Sequence, residues 1–102
     1  MSKEPTEAGL RRDVLLRFQV ALLGMIEPSL RAVTVGWTPK QIEAVLYYDG
    51  ALRERDVEDA SDIEAEVMAS FPHHDVMVTA QRLDQPDRPP MLMAWAYWRR
   101  EE

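Results

Sequence analysis

The sequence predicts an α+β domain, a two-layer α/β sandwich in the order α-β-β-α-β-β, with two helices on one face of a four-stranded, mainly antiparallel sheet. Two stretches repeat apolar residues at three- and four-residue steps, two stretches between them alternate their side chains, and turn residues separate the elements.

From about Glu7 to Ile26, Leu15, Phe18, Leu22, Met25 and Ile26 form an apolar stripe while Arg11, Arg12 and Arg17 point elsewhere, which describes an amphipathic helix. Glu27-Pro28 ends it. Leu30 to Trp37 is β-rich, with Val33, Val35 and Trp37 on one face and Ala32 and Thr34 on the other. After a turn at Thr38-Pro39-Lys40, Ile42, Ala44, Leu46 and Tyr48 alternate with Glu43, Val45 and Tyr47 as far as Asp49-Gly50, so the two strands should form a hairpin. The helical period returns from Glu54 to Phe71, with Val57, Ala60, Ile63, Val67 and Phe71 facing the core and Pro72 as the stop. Two further strands are expected near Asp75 to Leu83 and Met91 to Arg99, joined by the polar loop from Asp84 to Pro90. The sheet face without helices should be half exposed, and its aromatic residues are available to a partner.

One domain spanning residues 1–102 is expected, with residues 1–6 flexible. A chain of this length buries roughly two-thirds of its unfolded surface, and 46% hydrophobic residues suffice for one core. There is no cysteine, hence no disulfide, thiolate zinc site or cysteine nucleophile, and the cytoplasm is the expected compartment. No secretion signal or membrane span is read near the N-terminus, because Arg11, Arg12, Asp13 and Arg17 break its apolar run.

Charge is distributed unevenly. Glu54, Asp56, Glu58, Asp59, Asp62, Glu64 and Glu66 stand against Arg55 alone and account for the whole net charge of −6, since the other 11 acids and 11 bases cancel. The acidic balance argues against direct nucleic-acid binding, but a ladder of carboxylates presents charge much as a phosphate backbone does and suits a basic cleft. At about 100° per residue, Glu58, Asp62 and Glu66 share one ridge opposite the apolar arc, with Asp56 and Asp59 beside it. A solvated face is the plain alternative for such a run. Glu64 falls at the edge of the apolar arc, where either an arginine pairs with it or the helix rolls to expose it.

No catalytic, cofactor or metal site is expected. His73-His74-Asp75 reads as a polar turn after Pro72, the helix acids lack the glycine and ligand spacing of a calcium loop, and no phosphate loop or nucleophile motif occurs.

The segments Leu22-Leu23-Gly24-Met25-Ile26, Pro28 to Val33, Tyr47-Tyr48-Asp49-Gly50, Glu58-Asp59-Ala60-Ser61, Glu66-Val67, Phe71-Pro72 and Tyr97 to Glu101 together resemble small bacterial immunity proteins of contact-dependent growth inhibition and related polymorphic toxin systems. The resemblance implies a non-enzymatic, cytoplasmic antitoxin, a monomer or weak dimer, that occludes a cognate toxin domain. Glu58, Asp59 and Glu66 match the acidic pattern of such proteins, while Asp62 and Glu64 are additions of this chain. Together with the charge ladder, this points to a basic, nuclease-type toxin held by Asp56, Glu58, Asp59, Asp62 and Glu66. The competing reading is a regulatory or adaptor module with no toxin partner.

Overall fold

Thr38 closes the first strand turn: its hydroxyl accepts the N–H groups of Lys40 (3.2 Å) and Gln41 (2.9 Å), and its own N–H donates to Gln41 O (2.8 Å). In this computed structural model, which describes residues 7–101, the elements are α1 (Glu7–Ala21), β1 (Leu30–Trp37), β2 (Gln41–Tyr48), α2 (Glu54–Ser70), β3 (Asp75–Arg82) and β4 (Ala94–Trp98). The expectation for residues 1–6 falls outside the described residues. As expected, β1 and β2 pair as an antiparallel hairpin.

The sheet is mixed rather than mainly antiparallel. Its order is β3-β2-β1-β4, with β1 antiparallel to both neighbours and β2 parallel to β3. The 17 residues of α2 rise about 25 Å, close to the length of the eight-residue β2. The helix therefore returns the chain to the end where β2 began, and β3 starts beside it with Gln41 opposite Asp75. A helical crossover is what parallel pairing requires.

Both helices pack on one face. Leu10, Val14, Phe18 and Ala21 of α1 and Ala60, Ile63 and Val67 of α2 share a core with Val33, Val35 and Trp37 of β1 and Ile42, Ala44, Leu46 and Tyr48 of β2. Compared with expectation, α1 is shorter and its stripe is shifted. It stops at Ala21, Gly24 takes a left-handed φ of 79° in the following turn, and Ile26 is exposed. Val57, expected in the core, is 55% exposed, because α2 is rolled so that Asp56, Ala60, Ile63 and Val67 face inward.

The opposite face is half exposed, as expected: Met77, Thr79 and Gln81 of β3 are open to solvent, while its β1 side is covered by the chain that leads into β4. Because β4 lies beyond β1, residues 83–93 must cross the sheet from the β3 edge, and they do so over this face. The Tyr47 hydroxyl donates to Pro90 O (3.0 Å), and the Thr34 hydroxyl accepts Leu92 N–H (2.8 Å) and donates to Ala94 O (2.9 Å). Ala32, Thr34 and Tyr47 are buried beneath this strap, whereas Trp98, edge-on to Trp95 at 4.3 Å between ring centroids, stays exposed. The Thr34→Val variant keeps the shape but orphans Leu92 N–H, so it should lose about 1–3 kcal/mol of stability. Urea titration reads the loss, and hydrogen exchange should show the Leu92 amide exchanging faster.

Candidate functional site

The first turn of α2 is fixed from below. Asp56, only 1% exposed, accepts the backbone N–H of Arg53 (2.9 Å) and its guanidinium (2.8 Å). Burial pushes the Asp56 carboxyl up, but the Arg53 hydrogen bonds prevail and hold it below the usual carboxylate range. Glu27, in the turn before β1, binds both Arg53 and Arg55, the latter at 3.0 Å. The basic residues at this end of α2 are thus engaged by Glu27 and Asp56.

Beyond that first turn the helix presents carboxylates to solvent. Glu58, Asp62 and Glu66 are exposed at i, i+4 and i+8, and among the described residues none has an ion-pair partner within 4 Å. Asp59 lies half-buried at the inner margin of the ridge. Burial lifts its carboxyl above the usual range, and Glu27, Asp56 and Asp62 add to the lift against the pull of Arg55.

Of the five residues expected to bind a partner, the structure therefore brings Glu58, Asp62 and Glu66 together on the surface and sets Asp59 at their margin. Asp56 lies elsewhere, inside the cap. Its burial follows from the Arg53-to-Asp56 spacing, since a side chain three residues into a helix reaches back to the capping N–H. Asp56→Ala should cost about 1–2 kcal/mol by removing that cap. Because the native carboxyl is depressed, its contribution is present above the ordinary aspartate pKa and lost as pH falls through the folded value, so the gap between variant and parent should close in acid. Thermal melts across the acid range check both points.

Glu64 takes a third course. Its carboxylate accepts the backbone N–H of Val78 at 2.9 Å, covering part of the outer edge of β3, the last strand on that side of the sheet.

A second feature, which sequence reasoning missed, opens on the strap side. A groove of about 310 Å³ is lined in part by Gly36, Glu43, Asp75, Met77, Leu92 and Met93. It arises because residues 83–93 return across the sheet, which no local pattern announces. The His73-His74 turn packs through His74, edge-on to Phe71 at 5.5 Å. Among the described residues no group of three His, Cys, Asp or Glu is placed to hold a metal ion, and no helix is long and apolar enough to cross a membrane.

A family model described as MafI2 immunity protein matches residues 11–101, from α1 through both helices and all four strands. The chain belongs to the MafI2 immunity protein family. Membership agrees with the resemblance drawn from the sequence and implies a toxin-neutralising role through binding a cognate toxin. No curated protein matches the chain. Within this MafI2-family fold, the α2 ridge is a concentrated run of charge on a rigid element.

Proposed function

We propose that this MafI2-family protein neutralises a nuclease-type toxin domain by seating the α2 ridge in the toxin's basic substrate cleft. The observation that carries the reading is the row of exposed carboxylates on Glu58, Asp62 and Glu66, which have no ion-pair partner among the described residues. Repulsion between like charges at this spacing costs roughly 0.2–0.5 kcal/mol per pair, and a basic surface relieves it. Asp59 completes the contact from the margin, while Asp56 serves it indirectly by fixing the first turn.

Inhibition is occlusion, with no bond made or broken and no cofactor. The site of action is the cytoplasm of a cell exposed to a sibling's toxin, as in contact-dependent growth inhibition, with the antitoxin acting as a monomer or weak dimer. Complementary charge raises the rate of encounter and makes it fall with salt.

The test is a tagged pull-down from the native cell with the neighbouring toxin gene expressed, eluted by a salt gradient and identified by mass spectrometry. Recovery of a basic nuclease domain, released by salt and inactive in the complex, supports the proposal. Recovery of a toxin that is not a nuclease, or only of a metabolic or regulatory protein, overturns it.

A further inference from the structure

The strap-side groove sets apolar side chains beside two carboxylates. Across the sheet, Met77 of β3 stands opposite Glu43 of β2, which stands opposite Gly36 of β1. Alternation puts these three positions on the face away from the helices. Beyond Gly36 comes the strap, close enough that a Cβ built on Gly36 would lie 3.4 Å from Leu92 Cβ and 3.7 Å from the Met93 side chain. The bare glycine therefore lets the strap pack close against β1, and Glu43 stands between a wall of Met77 and a wall of Leu92 and Met93.

Those walls are open to solvent: Met77 is 63% exposed, Met93 41% and Leu92 37%. Asp75, also exposed, closes the end near the β1–β2 turn and adds a second carboxylate. Neither Glu43 nor Asp75 has an ion-pair partner among the described residues, and Lys40 on the adjacent turn pairs with neither.

We propose that this groove is a second protein-binding site, which receives an arginine or lysine side chain of a partner. Its apolar stem lies along Met77, Leu92 and Met93, and its cationic head meets Glu43 and Asp75. Long basic side chains carry this combination of apolar stem and charged tip. Methionine walls adapt to the stem's rotamers, and the volume is in the range of small-ligand sites, which begin at roughly 300 Å³. An acidic peptide is repelled, and a purely apolar one leaves two carboxylates beside its buried surface without a counter-charge. The groove lies on the face opposite the α2 ridge, so the site stands whether or not the ridge holds a toxin.

The test uses the full chain with methyl-labelled methionines, titrated with acetyl-Ala-Arg-Ala-amide and with the same peptide carrying citrulline, which keeps the shape and removes the charge. Expected are saturable shifts of the Met77 and Met93 methyls and the Gly36 amide, with the arginine peptide binding about tenfold more tightly than the citrulline one. The double variant Glu43→Gln/Asp75→Asn changes only exposed side chains and should abolish that preference while leaving the α1 and α2 amide shifts in place. Equal binding of the two peptides, an arginine preference that survives the double variant, or the absence of saturable shifts in the groove would each overturn the proposal.

Discussion

The Glu101→Gln protein should be about 3 kcal/mol less stable than the parent at neutral pH, because the change strips a buried arginine of its counter-charge. Arg31 is 2% exposed and sits where the β1–β2 register slips between Leu30 and Ala32. Its guanidinium donates to both Glu101 oxygens, at 2.8 and 3.0 Å, and to Leu83 O at 2.6 Å. Arg99 joins the same carboxylate at 2.8 Å and also donates to Pro28 O. The Arg31–Glu101 pair thus ties together β1, the start of the strap and the segment after β4. The loss should lower the melting temperature by more than roughly 10 °C in a domain of this size.

Acid should erase the difference. Arg31's hydrogen bonds, acting against burial and aided by Arg99, push the Glu101 carboxyl down to about 2. A depressed carboxyl contributes stability that is complete above its unfolded pKa and lost as pH falls through the folded one, so the window runs from about pH 5 down to about pH 2. Urea titrations at pH 7 should separate parent from variant, and titrations near pH 2 should bring them together. Replacing the pair by Arg31→Met with Glu101→Leu should recover most of the loss, since the cost lies in leaving one charge alone. If Glu101→Gln unfolds at the parent's urea concentration, the network contributes nothing to stability.

What the sequence disclosed and what it withheld divide along sequence distance. The β1–β2 hairpin is legible because Thr38 and its neighbours close the turn within four residues. The exposed side of α2 is equally local: a wheel suffices to place Glu58, Asp62 and Glu66 opposite Ala60 and Val67. The parallel pairing of β3 depends instead on where a helix of a given length delivers the chain. The cover over the β1 side of the second face depends on β4 choosing β1 over the free edge of β3. Nothing local announces the burial of Arg31, since the carboxylate that permits it lies 70 positions away. Glu64 offered two outcomes on the wheel and took neither, because its partner is a backbone N–H that no side-chain pattern represents.

Neutralising the ridge should separate binding from folding. With Glu58→Gln, Asp62→Asn and Glu66→Gln together, association with the basic toxin domain should slow by roughly ten- to hundredfold at low salt. Stability should hold or rise by a few tenths of a kcal/mol, because two like-charge contacts at i, i+4 are removed and no ion pair among the described residues is lost. The triple variant leaves the Arg53–Asp56 cap and the Glu27 bridges intact, so a folding defect is not a competing explanation for weak binding. Stopped-flow association across a salt series is the readout: the parent's rate should fall steeply with salt, the variant's should be nearly flat, and the two should converge at high ionic strength. Asp59 supplies a second signature. Its carboxyl is raised by burial and by neighbouring acids in the free protein, so a docked cation pulls it back down and docking releases protons. Affinity should therefore strengthen as pH rises through the free protein's Asp59 titration, and calorimetry in buffers of different ionisation heat should detect the proton release. Equal rates for parent and triple variant at every salt concentration would remove the ridge from the contact.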